Sequence, residues 1–151
     1  MSDNRQYPPR PVLGVGALIL DGDRILLVQR GKEPLKGYWS LPGGAVETGE
    51  KCADAIAREV LEETSLTVTV GPLAEVFERL MHDAEGRTEY HYVLLDYLCT
   101  ITAGTPAPGD DSAAVAWFHR AELPSLHMTP GTLEVIERTF ARHSTQQAET
   151  P

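Results

Sequence analysis

The chain has 151 residues, 42% of them hydrophobic, enough for one domain of ordinary size with a sizeable core and no second domain. A formal charge of -9 excludes a surface that grips nucleic-acid backbone, which needs clustered Lys and Arg, so a phosphate substrate would have to be met through metal ions. Cys52 and Cys99 are too few for a disulfide framework and neither has a CxxC partner, so free thiols in a reducing cytosol are expected.

Residues 1 to 11 read as a flexible arm, kept extended by Pro8, Pro9 and Pro11. No signal-peptide core follows it, and no apolar run approaches about 18 residues, so a soluble cytoplasmic protein away from membranes is expected. Val12 to Leu20 and Arg24 to Gln29 form apolar runs around Asp21-Gly22-Asp23, the pattern of a β-hairpin closed by an Asp-Gly turn. Gly14 and Gly16 interrupt the first strand. They mark either a glycine-tolerant or bulged strand or a close backbone approach to a ligand.

Arg30 to Lys36 is a polar loop leading to Tyr38-Trp39-Ser40-Leu41-Pro42-Gly43-Gly44. The paired glycines after Pro42 predict a turn whose backbone can approach phosphate oxygens or the helix behind it. Tyr38 and Trp39 are either core aromatics or a base-stacking platform.

The stretch GAVETGEKCADAIAREVLEETSL, residues 44 to 66, predicts a helix. With Thr48 as N-cap and Gly49 as first helical residue, Ala53, Ile56, Ala57, Val60 and Leu61 share a stripe able to face a core. Glu59, Glu62 and Glu63 then fall within an arc of about 100° on roughly the opposite side. One reading is a solvated acidic face. Against it, like charges at these spacings cost a few tenths of a kcal/mol per pair, and anions in the last turn oppose the helix dipole by about 0.3 to 1 kcal/mol. A divalent cation relieves both penalties, and carboxylate oxygens are what hard ions accept. Cys52 and Ala55 extend that face and leave room for the Gly43-Gly44 segment.

Beyond the helix, Leu66 to Val70 alternates as a strand, Gly71-Pro72 breaks it, and Leu73 to Met81 resumes it. A hairpin loop with Gly86 at its turn leads to Tyr90 to Ile101, YHYVLLDYLCTI, which predicts a central strand; His91 and Tyr92 near its start could reach a ligand, although a lone His in a strand is more often a packed or surface residue. Thr102 to Ser112 is a Gly/Pro-rich loop ending in Asp110-Asp111, and Ala113 to Phe118 is the last strand. The acidic pair reads equally as turn chemistry before a strand. Arg120 to Leu123 predicts a short turn. Thr129 as N-cap, Pro130 at the first position and the stripe Leu133, Ile136, Phe140 predict a second helix, before a polar tail from Ser144 to Pro151 expected to fray.

Gly44, five residues, Glu50, seven residues, Arg58-Glu59-Val60, Leu61, Glu62-Glu63, Thr64, Ser65, Leu66 resembles the signature of the Nudix hydrolases. It departs at one position, where Ser65 stands for the usual Gly; if the backbone there is left-handed, this costs roughly 1 kcal/mol. The resemblance implies an α/β fold, an α/β/α sandwich with a mixed sheet between helices, spanning residues 12 to 143. It implies hydrolysis of a nucleoside diphosphate linked to another group. Glu59, Glu62 and Glu63 would hold Mg²⁺ or Mn²⁺, with Glu50 and Gly43 as further ligands, although the helical angle of Glu50 points it away from the other three. Arg58 would orient a glutamate such as Glu50. Asp111, or one of the helix glutamates, would serve as general base, and Arg30, Tyr38, Trp39, Gly44 and Tyr92 would meet the nucleotide. RGKEPLKGYWSLPGG, EYHYVLLDYL and TPGTLEVIER are similar to a bacterial group named ADP-ribose pyrophosphatase, which implies ADP-ribose or another sugar nucleotide as substrate and a homodimer. A (d)NTP pyrophosphohydrolase with a housecleaning role and a non-catalytic nucleotide sensor on the same fold are the alternatives.

Overall fold

Two apolar runs joined by Asp21-Gly22-Asp23 fold as expected. The computed structural model, which describes residues 5–149 and the side chains of 5–143, has β1 at Val12–Asp21 and β2 at Arg24–Arg30. Gly22 turns the chain with φ 61°, so the two-residue loop is Gly22-Asp23. Two short strands follow, β3 (Trp39–Ser40) and β4 (Gly43–Ala45), then helix α1 (Cys52–Thr64). The long strands β5 (Thr67–His82) and β6 (Thr88–Ala103) form a second hairpin. β7 (Ser112–His119), a 3-10 turn (Arg120–Ser125) and helix α2 (Thr132–Glu149) complete the chain.

The sheet is mixed, with order β3-β2-β1-β6-β5; β4 adds to β1 and β7 to β2. β1 runs parallel to β6 and antiparallel to β4, which seats Gly43 and Gly44 opposite Gly16 and Val15. Alternation divides the apolar runs between two layers. Val15, Ala17, Ile19 and Leu26 pack under Ala55, Ile56 and Val60 of α1, while Leu18, Ile25 and Leu27 pack under Val135, Ile136 and Phe140 of α2. Both faces of β1 and β2 are therefore covered, which is why these runs are continuous rather than alternating. The result is an α/β/α sandwich.

Several boundaries differ from the sequence reading. Helix α1 begins at Cys52 with Lys51 as N-cap and no capping side chain, because Gly49 adopts φ 87° in a turn closed by Glu50 N–H to Glu47 O at 3.0 Å. Ala53 and Leu61 are exposed, and Ala55, Ile56, Val60 and Thr64 form the buried face. Gly43-Gly44 is a strand rather than a turn. Gly71-Pro72 is a bulge inside β5, between the pairs Val70–Cys99 and Leu73–Tyr97, since an edge strand tolerates a residue without an N–H. Helix α2 starts at Thr132, not at Pro130, after a turn in which Thr132 N–H donates to Thr129 O.

The arm and the tail also differ from free ends over the described residues. Tyr7 donates its N–H to Glu89 O and its hydroxyl to Asp83, each at 2.7 Å, and α2 continues through Glu149. The parts of the arm at 1–4 and of the tail at 150–151 lie outside the described residues. Among the described residues no helix is long and apolar enough to cross a membrane.

Candidate active site

Ending β4 at Ala45 and starting α1 at Cys52 lays the helix across the glycines of β4. A Cβ on Gly44 would stand 2.6 Å from the Glu59 carboxylate, and Gly43 N–H points to Glu63 Oε2 at 3.4 Å. The side chains of Glu59 and Glu63 are thereby enclosed between helix and sheet instead of lying on a solvated face. Burial, followed by the charge of Glu59, pushes Glu63 up to about 8. Burial also raises Glu59, though Arg58 opposes it. Two enclosed carboxyls side by side cannot both ionise without a counter-charge.

Arg58 supplies part of that charge. It donates to both oxygens of Glu50, at 2.7 and 2.9 Å, to Glu59 at 2.8 Å and to Ala45 O at 3.2 Å, with Glu62 at 3.5 Å. The late start of α1 makes this possible: Glu50 sits in the preceding turn and faces the guanidinium, instead of pointing away on a helical surface. The Arg58 bonds hold Glu50 down at about 2. Glu62 is the outermost of the three helix glutamates, with 43% of its side chain exposed.

These carboxylates border a cleft of about 560 Å³ that is also lined by Arg30, Lys32, Tyr92 and Asp111. The Gly/Pro-rich loop before β7 does two things here. It closes the C-terminus of α1, where Ala107 N–H donates to Thr64 O at 2.9 Å and Ser112 hydroxyl to Glu63 O at 2.8 Å. It also brings Asp111 to the cleft, paired with Lys32 at 2.7 Å rather than with the helix glutamates. Gly31 N–H donates to Asp111 O at 2.8 Å, tying this loop to the one after β2.

A divalent cation fits this donor set. Glu59 and Glu63 offer hard oxygens in an enclosed place where a proton is otherwise retained. Among the described residues no three His, Cys, Asp or Glu side chains converge as a ready coordination sphere, because Arg58 draws Glu50 and Glu62 to itself. Gly43 meets the pair through its amide.

Of the expected nucleotide-binding residues, Arg30, Gly44 and Tyr92 line the cleft. Tyr38 and Trp39 do not line it. Pairing of β3 with β2 turns Trp39 against Phe118, ring centroids 4.8 Å apart, and Tyr38 stacks on His127 at 3.8 Å. His91 pairs with Leu80 on the far side of the β5–β6 hairpin from Tyr92. Arg79 and Asp96, which border a second cavity beside the cleft, escaped the sequence reading. The one available signal was Asp96 itself, a lone carboxylate inside YHYVLLDYLCTI.

Carboxylates of one helix enclosed against a glycine strand, on a mixed sheet between two helices, define a recognisable class. Residues 10–139 match the NUDIX domain, and the chain belongs to the Nudix hydrolase family. It is similar to an ADP-ribose pyrophosphatase of Methanocaldococcus jannaschii, 34% identical over 77% of this chain and 66% of that protein. It is also similar to the human 8-oxo-dGDP phosphatase NUDT18, 31% identical over 95% of this chain but only 45% of that protein. Among solved structures, a MutT NUDIX hydrolase from Burkholderia pseudomallei superposes with a TM-score of 0.75 at 32% identity, covering 85% of this chain and 97% of that one.

Proposed function

We propose that this chain hydrolyses the pyrophosphate linkage of a nucleoside diphosphate joined to a further group, with a sugar nucleotide such as ADP-ribose as the leading substrate class. The observation that carries this reading is the enclosed Glu59–Glu63 pair, bordering a cleft that is also lined by the cationic side chains of Arg30 and Lys32. Bound Mg²⁺ or Mn²⁺ would screen phosphate charge and acidify a coordinated water. Glu59 and Glu63 would hold the ion, and Glu62 at the rim would join them as Arg58 shifts toward Glu50. Arg58 keeps Glu50 ionised and the β4–α1 corner fixed through Ala45 O. Arg30 and Lys32, which line the cleft, would meet the diphosphate. Asp111 is a candidate base once phosphate competes for Lys32.

The M. jannaschii relative supports a sugar nucleotide. A second reading, a nucleoside di- or triphosphate, is supported by the side cavity next to the cleft and by the 8-oxo-dGDP phosphatase relative. A pure nucleotide sensor has less support, since Glu59, Glu62 and Glu63 are all present. Incubating the protein with MgCl₂ and a panel of ADP-ribose, sugar nucleotides and (d)NTPs separates these by product. Nucleoside monophosphate plus sugar phosphate is the expected outcome. Inorganic pyrophosphate from (d)NTPs would transfer support to the second reading, and tight nucleotide binding without any cleavage would support the sensor.

A further inference from the structure

The side cavity, about 120 Å³, shares Arg30, Gly43, Gly44 and Tyr92 with the cleft, so a ligand with its phosphates in the cleft can reach into it. At about 10 to 15 Å³ for each water-sized atom, it has room for on the order of ten atoms, the size of a purine ring system. Strand alternation along β6 turns Tyr92, Leu94 and Asp96 toward it, and β1 is cut back opposite them. A Cβ on Gly14 would stand 2.7 Å from Leu94, and one on Gly16 would collide with Asp96 Oδ1.

Arg79, Thr129, Thr132 and Ser40 in its wall have hydrogen-bond partners. Arg79 donates to Pro130 O at 3.0 Å, Thr132 Oγ1 at 3.2 Å and Thr129 Oγ1 at 3.4 Å, and the two threonine hydroxyls bond each other at 2.5 Å. Ser40 donates to Leu41 O at 3.3 Å. Asp96, only 4% exposed, accepts a hydrogen bond from no described residue. Burial pushes its carboxyl up to about 6, with Arg79 opposing the shift. A buried carboxylate without donors destabilises the fold, so its retention makes sense where a ligand supplies them.

Two free oxygens on one carboxylate ask for two N–H donors side by side. Guanine offers them, its ring N1–H next to its 2-amino group. Adenine's amino group is flanked by ring acceptors, cytosine's lies beside an acceptor, and the N–H of uracil or thymine stands between two carbonyls. We propose that Asp96 is the specificity-determining residue of the side cavity and selects nucleotides with a guanine-type donor edge. This rests on the nucleotide-hydrolase reading above and, within its sugar-nucleotide class, departs from the adenine example: a guanosine diphosphate sugar is favoured over ADP-ribose, and a guanine nucleotide such as the 8-oxo form over its adenine counterpart.

Calorimetric titration of GMP, IMP and AMP into the wild-type protein tests this without turnover. IMP keeps the ring N–H but lacks the amino group. GMP is expected to bind about tenfold tighter than IMP or AMP, a difference that Asp96→Asn, which turns one acceptor into a donor, removes by weakening GMP about tenfold while sparing AMP. Equal binding of AMP and GMP by the wild type, which needs no variant, would overturn the proposal, as would an unchanged GMP-to-AMP ratio in Asp96→Asn. Hydrolysis of GDP-glucose against ADP-glucose separates the two levels. Cleavage of both without preference sinks the base assignment alone, whereas guanine-selective binding without cleavage sinks the hydrolase reading alone.

Discussion

Glu63 holds a carboxyl where water scarcely reaches it and where Glu59 is its nearest charge. Its affinity for a proton rises from the ordinary 4.5 to about 8, so the folded chain keeps a proton that the unfolded chain releases across that window. The contribution to stability therefore falls as pH rises from about 4.5 toward 8, the sign for a carboxyl whose folded value is raised. A divalent cation held by the pair displaces this proton and removes the penalty. The stabilisation given by MgCl₂ or MnCl₂ in thermal melts is thus expected to be small near about pH 6 and to grow toward about pH 8.5. A shift of constant size across that range would count against Glu63 as a ligand. The glutamates and Arg58 were legible in the sequence because one helix fixes their mutual register. Asp96 and Arg79 were not, since strand pairing and the loop before α2 bring them to one cavity.

Helix α1 is where the residues acquire positions, and both of its ends shape the site. At its start, the positive φ of Gly49 delays the helix and leaves Glu50 free to meet Arg58. Thr48 followed by Gly49 looks like a cap in sequence, and only the backbone angle shows otherwise. At its end, Ser65 is left-handed, with φ 67° and ψ 13°, the strain expected from a serine at the position where glycine is usual. Its hydroxyl donates to Ala107 O at 3.2 Å, a partial offset from the same loop that closes the helix. Ser65→Gly is expected to raise stability by about 1 kcal/mol, less a few tenths for the lost hydroxyl contact, in chemical denaturation. A loss of stability would mean that the loop contact outweighs the strain. The hairpin, the central β6 and the two packed helices followed from apolar patterning. The Gly71-Pro72 bulge did not, because whether such a pair ends a strand depends on whether the strand has a free edge.

Across the whole molecule, the sandwich places an acidic corner, a cationic loop and a side cavity around shared walls at Gly43, Gly44, Arg30 and Tyr92. Each part comes from a different element: the acids from α1, the cations from the end of β2 and the loop after it, the side cavity largely from β1, β5 and β6. Sequence adjacency exposed the first two. It left Tyr38 and Trp39 open between core and nucleotide, and their rings pack on His127 and Phe118, because a two-residue strand is steered by its pairing and not by its own pattern. The central claim is that phosphate chemistry here depends on a cation held by the α1 carboxylates. Its most direct test is steady-state hydrolysis of sugar nucleotides in MgCl₂ by the wild type and by Glu63→Gln, with chelated samples beside them. The account predicts that Glu63→Gln and chelation each lower turnover by at least about a hundredfold while the variant stays folded. Full turnover by Glu63→Gln would contradict it.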